Sequence, residues 1–289
     1  MRLRAARREL ELGGPPLLMG VVNASPDSFS DGGDHPDLVA HASRLITEGA
    51  GVIDIGGESA VGGRPSVEPT EEIDRVVPLV AQIAAAHDVL ISVDTYKPEV
   101  AEAAIEAGAG MVNDVSGLRD ERLAEVCAGA GAALILMHTR VAPKGTLLEP
   151  DAYDDVVADV VGFLGERMEA AVAAGVGEEQ IVLDPGPDFA KTPAQTVAVL
   201  RHLDALAPLG RPLLLAVSRK DFLGAITGRG PRERGAATLA ALEFGVRSGA
   251  SILRVHDVAA AADFLAVRAV LDGDRELAPE EGLTPERYP

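Results

Sequence analysis

The chain has 289 residues, is 47% hydrophobic and contains 31 glycines and 19 prolines, which excludes a disordered chain and leaves one or two domains or a single closed α/β barrel of about 250 residues. A formal net charge of −19 argues against nucleic acid or an anionic membrane as a main partner, because both need a basic face, but it leaves room for a small basic pocket. The single cysteine, Cys127, excludes an intramolecular disulfide and a multi-cysteine metal site, and it reads as a small buried hydrophobe.

In chain order, residues 1–13 read as a basic N-terminal extension with no apolar run behind it, so no secretory signal is expected. From 14 to 272, short apolar runs alternate with longer amphipathic ones. The run 17–23 precedes a helical pattern over 36–49, 52–57 precedes 70–86, 90–95 precedes 98–107, and 111–116 precedes 120–129. The series continues with 133–138 before 152–174, 181–186 before 192–207, 213–218 before 232–248, and 251–257 before 258–271. Near-continuous hydrophobicity suits strands covered on both faces, as in a parallel sheet. Thr70 reads as a helix start and Pro98 as a first-turn proline. The acidic, proline-rich stretch 273–289 reads as a loose tail.

Eight strand–helix pairs predict a (β/α)8 TIM barrel of the α/β class. An open doubly wound sheet is the alternative; it calls for a glycine fingerprint after the first strand, and no GxGxxG occurs. Walker A, HExxH, GxSxG and CxxC motifs are also absent. With no run of about 18 apolar residues, no membrane span is expected, and the expected location is the cytoplasm.

The polar residue that closes each apolar run carries the functional signal. In order these are Asn23, Asp54 with Glu58, Asp94, Asn113 with Asp114, His138, Asp184, Ser218-Arg219-Lys220, and Arg254 with His256. In a barrel these ends converge on one face. One polar strand end is ordinarily a turn residue, but eight together would bury too many unpaired groups, and a bound polar ligand is the simpler account. Asp94, Asn113 and Asp184 offer acceptors and one amide, which suit a flat heterocycle rich in N–H donors. Lys220, Arg254 and His256 offer cations on the last two strands, where barrels commonly bind phosphate.

These motifs resemble those of the dihydropteroate synthases and the wider pterin-binding barrel family over roughly residues 14–272. The matching runs are Gly20 to Gly33, Ile53 to Ser59, Ser92 to Thr95, Asn113 to Gly117, Met137-His138, Leu183 to Gly186, Ser218 to Lys220, and Arg254 to Asp257. The resemblance implies condensation of 6-hydroxymethyl-dihydropterin diphosphate with p-aminobenzoate. It implies that Asp94, Asn113 and Asp184 bond the pterin edge and that Lys220 reaches the ring carbonyl and its neighbouring nitrogen. Asn23, Arg254 and His256 would hold the diphosphate with Mg²⁺, with Asn23 the metal ligand. Met137, Phe189 and Ser218 fall among the substrate contacts, and Asp31, in the loop after the first strand, joins Lys220, Asp94 and Asp184 as catalytic. A homodimer through outer helices is the implied assembly.

The second-substrate half departs from the family pattern. Arg64-Pro65 comes three positions late after Glu58-Ser59, and Asp221 follows Lys220 where the family has Ser. Asp188 and Ala190 stand where the family has Gly, and the segment after His138 diverges. Asp221 has two readings: an anion that repels the substrate carboxylate, or a helix N-cap. Arg64 would replace the displaced arginine. The competing functions are a pterin-binding paralogue using another amine or none, a methyltetrahydrofolate:corrinoid methyltransferase, and a metal-dependent barrel hydrolase. An intact diphosphate set speaks against the methyltransferase, and the scarcity of strand-end histidines against the hydrolase.

Overall fold

The chain opens with an antiparallel hairpin that sequence periodicity does not reveal, β1 (Arg2–Ala5) and β2 (Arg8–Glu11). Arg2 faces Glu11 and Arg4 faces Glu9 across the ladder, so opposite charges pair on the outer face. Leu3 and Ala5 point the other way and are buried. The structure is a computed structural model and describes residues 1–24, 37–58 and 66–278.

All eight apolar runs form strands: β3 (Leu17–Asn23), β4 (Val52–Gly56), β5 (Leu90–Asp94), β6 (Met111–Asp114), β7 (Ala133–Met137), β8 (Ile181–Asp184), β9 (Leu213–Leu215) and β10 (Ala250–Val255). They close into one parallel barrel in which β10 pairs with β3. The closed (β/α)8 barrel replaces the open-sheet alternative.

The helices among the described residues are α1 (Leu38–Thr47), α2 (Pro69–Ala86), α3 (Pro98–Glu106), α4 (Arg122–Ala130), α5 (Val156–Ala173), α6 (Pro193–Arg201), α7 (Asp221–Thr227), α8 (Gly235–Arg247) and α9 (Val258–Leu271). Asp37, Asp155 and Asp257 cap α1, α5 and α9 by accepting backbone N–H groups of the first turn. Pro98 opens α3 as its sequence position predicts, whereas α2 begins at Pro69, one residue before Thr70. The pattern over 192–207 splits after Arg201 into a 3-10 segment, Leu203–Leu209, which contains Pro208. Helix α7 spans under two turns, too short to register as a periodic pattern. His87, just past α2, is half-buried with Nε2 2.7 Å from Ser43 Oγ.

Strand side chains alternate between two layers. One set, including Ile53, Ile91, Val112, Leu134 and Leu183, packs outward under the helices. The other fills the barrel, with Met19, Val52, Leu90, Met111, Val182 and Ile252 at its lower end. The hairpin residues Leu3 and Ala5 and the following Leu12 belong to this inner cluster and plug the barrel from below. Cys127 is fully buried in the outer layer, where burial pushes its thiol up to about 12. No helix among the described residues is long and apolar enough to cross a membrane.

Candidate active site at the barrel mouth

Two residues above the apolar floor, the inward positions turn polar. Val52 is followed by Asp54, Leu90 by Ser92 and then Asp94, Met111 by Asn113, Val182 by Asp184, and Ile252 by Arg254. Strand register sets Asp54 beside Ser92 and Asp94 beside Asn113. Arg254 bridges two carboxylates, with Nε 2.7 Å from Asp54 Oδ2 and Nη2 2.9 Å from Asp94 Oδ2. Asn113 Nδ2 donates to Asp54 Oδ2 at 3.2 Å.

The ring is not self-satisfied. Asp54 Oδ1, Asn113 Oδ1 and Ser92 Oγ are buried without a hydrogen-bond partner among the described residues, and buried acceptors left unpaired are costly. Burial raises Asp94 to about 7, with Arg254 opposing and Asp54 adding to the rise. Burial also raises Asp184, against the Gly186 N–H at 2.7 Å and the nearby Lys220. Acceptors held in this state are ready for N–H donors from a ligand. Asp114, by contrast, bonds the backbone N–H groups of Ser116 and Leu118 and shapes its own turn.

Lys220 stands beside the carboxylates. Its Nζ lies 4.1 Å from the centroid of the Phe189 ring, and burial lowers its pKa while Asp188 and Asp184 oppose that shift. The turn that presents it is braced by a residue that sequence reasoning missed. Arg234, 7% exposed, donates from Nη1 to Arg219 O, Lys220 O and Asp221 Oδ1 at 2.8, 3.0 and 2.9 Å. The same contact corrects the N-cap reading of Asp221. The N-cap residue of α7 is Lys220; Asp221 is the first helical residue, and its side chain is 86% exposed beside Arg234. The anion at the start of α7 comes instead from Asp188, whose Oδ2 accepts from Phe222 N at 3.2 Å.

Asp188 and Ala190 both adopt left-handed backbone, with φ of 62° and 51°. That conformation favours glycine, which accounts for the family's preference at these positions. Gly186 has φ 63°, and a Cβ there would stand 2.1 Å from the His138 carbonyl oxygen, so only glycine fits. Buried Met137 lies opposite Asp184 in the β7–β8 register.

On the cation side, His256 Nδ1 is 3.0 Å from Ser218 Oγ. Burial, with Arg219, Arg254 and Lys220 nearby, lowers His256 to about 3, so its imidazole is neutral at physiological pH. Asn23 is exposed at the end of β3. Among the described residues, no group of three or more His, Cys, Asp and Glu is placed to hold a metal ion. Asp31 and Arg64 lie outside the described residues.

A cleft beside the ring is lined by Glu58, Asp94, Tyr96, Lys144 and Phe189, among others. Its wall is an ion network: Lys97 Nζ contacts Glu58 and Glu72, each at 2.5 Å, and Lys144 Nζ lies 2.6 Å from the other oxygen of Glu58. Burial pushes Glu58 up, but Lys144 and Lys97 outweigh it and hold the carboxylate below its usual range. Lys144 belongs to the segment that diverges after His138, so the divergent segment is tied by charge to Glu58, just past the end of β4. His138 is fully buried, with Nε2 2.9 Å from Asp159 and Nδ1 2.7 Å from Lys191.

The family profile described as pterin binding enzyme matches residues 19–256. The dihydropteroate synthase of Streptococcus pyogenes serotype M3 is 42% identical over 264 residues, covering 89% of this chain and 96% of that relative. Among solved structures, the Xanthomonas albilineans dihydropteroate synthase with 4-aminobenzoic acid is 44% identical, with a TM-score of 0.85 over 94% of this chain and 99% of that one. The same enzyme in complex with 7,8-dihydropteroate is 43% identical, with a TM-score of 0.84 over 94% and 99% of the two chains.

Proposed function

The chain belongs to the pterin-binding enzyme family, and from that premise we propose that it is a transferase of folate biosynthesis that condenses 6-hydroxymethyl-dihydropterin diphosphate with p-aminobenzoate and releases diphosphate. The observation that carries the reading is the buried ring of Asp54, Asp94, Asn113 and Asp184 with acceptor oxygens left over, set against Lys220. Relatives solved with 4-aminobenzoic acid and with 7,8-dihydropteroate favour the same two substrates.

The chemistry follows from the charges. The C–O bond to the diphosphate breaks, and its electron pair leaves with the diphosphate. The methylene left on the pterin is cationic, and the carboxylates of Asp94 and Asp184 stabilise it. The amine nitrogen of p-aminobenzoate attacks that carbon and then sheds a proton. Lys220 anchors the ring carbonyl and neighbouring nitrogen, and Phe189 covers it.

At the leaving group, the His256 backbone N–H donates to Ser218 Oγ, whose hydroxyl can donate in turn to Nδ1; in that tautomer the neutral ring carries its hydrogen on Nε2 and can donate it to the diphosphate. Arg254 uses Nε and Nη2 on Asp54 and Asp94 and offers Nη1 to the diphosphate. A magnesium ion bound to phosphate oxygens and water needs only one or two protein oxygens. The exposed Asn23 side chain at the end of β3 would supply one, which fits a metal that arrives with its substrate. When bound, it would neutralise charge on the departing diphosphate. Asp31 and Arg64 are carried as contacts of the substrate complex. A cytoplasmic location and a homodimer complete the reading; Phe244, Val267 and Leu271, which are 48, 59 and 80% exposed on α8 and α9, favour the pairing face.

Titration calorimetry with the pterin diphosphate and Mg²⁺, followed by p-aminobenzoate and a product assay, tests the function. Binding of both and formation of dihydropteroate are expected; a chain that binds no pterin diphosphate contradicts the reading. Light scattering tests the dimer.

A further inference from the structure

Lys191 is 1% exposed and is among the bulkiest fully buried side chains of the described residues. A lysine that only filled space would be replaced at lower cost by an apolar side chain. Its Nζ meets three acceptors: His138 Nδ1 at 2.7 Å, Gly186 O at 2.9 Å and Phe189 O at 3.1 Å. An ammonium has three N–H donors and no acceptor, so the three contacts use it completely. His138 Nδ1 must therefore accept, which puts the ring proton on Nε2, facing Asp159 Oδ1 at 2.9 Å. A line of polar bonds runs from α5 through the end of β7 to the underside of the loop after β8. That loop starts at Asp184 and carries Phe189, whose ring packs on Lys220.

We propose that Lys191 is a positioning residue of the active site: its ammonium, oriented by His138 and Asp159, ties down the carbonyls of Gly186 and Phe189 and so holds Asp184 and Phe189 in place against the pterin and Lys220. The proposal rests on the pterin-binding reading of the mouth. Lys191 touches no reacting atom; it acts through the loop.

The groups facing Lys191 give the clamp a pH dependence. Asp184, Asp159 and Asp188 favour its charge and Lys220 opposes it, but burial dominates and brings it down to about 7. Arg140 Nε donates to the same Asp159 Oδ1 at 3.1 Å, and Tyr153 OH donates to Ala190 O at 2.6 Å. His138 is held neutral, lowered to about 4 by burial and by Lys191. When Lys191 loses its proton it keeps two donors for three acceptors, so the loop is held tightly on the acid side and loosens as pH rises.

The test compares wild type, Lys191→Met and Asp159→Asn by calorimetry with the pterin diphosphate and Mg²⁺ from pH 6 to 9, with kcat and KM of the condensation and melting curves alongside. Asp94 ionises in the same range and its carboxylate favours the ligand, so the clamp is read as an affinity ratio. Wild type is expected to bind about tenfold more tightly than Lys191→Met at pH 6, the scale of a lost hydrogen bond to a charged group, and this advantage is expected to shrink as pH rises through neutrality. Asp159→Asn removes a negative charge facing the ammonium, so its advantage over Lys191→Met is expected to shrink at lower pH. A Lys191→Met protein with wild-type affinity, or an advantage that does not change with pH, would overturn the proposal. If Lys191→Met does not fold, the affinity ratio of wild type to Asp159→Asn decides, and a ratio independent of pH overturns the clamp. A wild type that binds the pterin diphosphate but makes no dihydropteroate would refute the synthase reading while leaving the clamp to the binding data. A wild type that binds none refutes both.

Discussion

At the lower end of the barrel, Leu3, Ala5 and Leu12 close over Met19, Val52, Leu90 and Met111, all at most 4% exposed. Two residues above Val52, Leu90 and Met111 stand Asp54, Ser92 and Asn113, and two above Val182 and Ile252 stand Asp184 and Arg254, with buried acceptors left over and Asp94 raised to about 7. The strands are continuous, so one stretch of four or five residues serves both ends. The two-residue period of a strand allows this: a single inward row is apolar below and polar above. The lower layer returns the stability that the mouth gives up by burying charge and amide without full pairing. A binding site of this kind raises affinity for a ligand with the missing donors at the expense of the ligand-free fold.

The sharpest way to break this comparison is to mutate both ends of one strand. Met111→Ala removes a fully buried side chain below Asn113. It is expected to cost about 2–5 kcal/mol of stability, the range for large-to-small core changes, while pterin affinity in the folded protein stays within twofold. Urea unfolding and calorimetry on the same preparation measure both. A large loss of affinity with little loss of stability would show that the two layers are not separable.

Asp184→Asn tests the upper layer. The amide oxygen can keep the Gly186 N–H bond, but an NH₂ group now faces the ring's donors. Pterin affinity is expected to fall by about 1.5–3 kcal/mol, the scale of a charged hydrogen bond. Stability should move the other way. Burial raises the pKa of Asp184, so its ionised form is a cost to the native state at neutral pH, and the amide relieves it. A Tm that falls along with affinity would reassign Asp184 to structure.

Arg254→Ala divides the mouth further. If Nη1 serves the leaving group, affinity for the pterin diphosphate should drop several-fold more than affinity for the unphosphorylated 6-hydroxymethyl pterin. Equal losses would mean that the guanidinium acts only through Asp54 and Asp94.

Asp94 gives the mouth a pH signature that the floor lacks. Its folded pKa, about 7, is above the usual carboxylate value. Its contribution to stability is therefore present at acid pH and is lost as pH rises through about 7. The ligand-free protein should show this slope between about pH 4 and pH 7, and Asp94→Asn should lack it. Saturating pterin should flatten it, because N–H donors favour the carboxylate. An identical slope in the variant would place the titration elsewhere.

Much of this contrast was legible in the amino-acid sequence. Runs such as 52–57 and 90–95 are apolar on both faces because helices cover one side and the barrel core the other, and their closing Asp94, Asn113, Asp184 and Lys220 gather at the mouth as the strand pattern implies. The hairpin was hidden because its outer face alternates Arg and Glu, which reads as a polar extension until Leu3 and Leu12 are seen buried. Arg234 sits in the charged run Pro231–Arg234, indistinguishable by composition from a solvated turn. Lys191 gives no local signal either, since its partners are the His138 ring, just past β7, and two carbonyls of its own loop. Arg254 was assigned by type to a phosphate site, and its pairing with Asp54, 200 residues away in sequence, needed the closed barrel.

Ala190→Gly sharpens the comparison at a finer scale. Ala190 has φ 51°, where an L side chain is strained. Relief of about 1 kcal/mol in the native loop is offset in part by the greater unfolded-state freedom of glycine. A net gain of a few tenths of a kcal/mol is expected, with KM for the pterin unchanged. A raised KM would show that the residue also helps to fix the loop that Lys191 holds.

The smallest effect is expected at Asp221, which sequence comparison singles out as the most suspect departure. Its carboxylate is 86% exposed and 2.9 Å from Arg234 Nη1, so water and a guanidinium both screen it. Exposed ion pairs contribute about 0–1 kcal/mol, and the start of α7 is already served by Asp188 through the Phe222 N–H. Asp221→Ser should therefore change KM for p-aminobenzoate by less than about twofold, with a Tm shift of no more than a few degrees. The paired variant Asp188→Gly removes the carboxylate that bonds α7 and is expected to have the larger effect of the two on KM. If Asp221→Ser instead raised condensation several-fold, a negative charge at the rim would be repelling the substrate carboxylate despite its exposure, and Asp221, not Asp188, would govern the second-substrate half of the mouth.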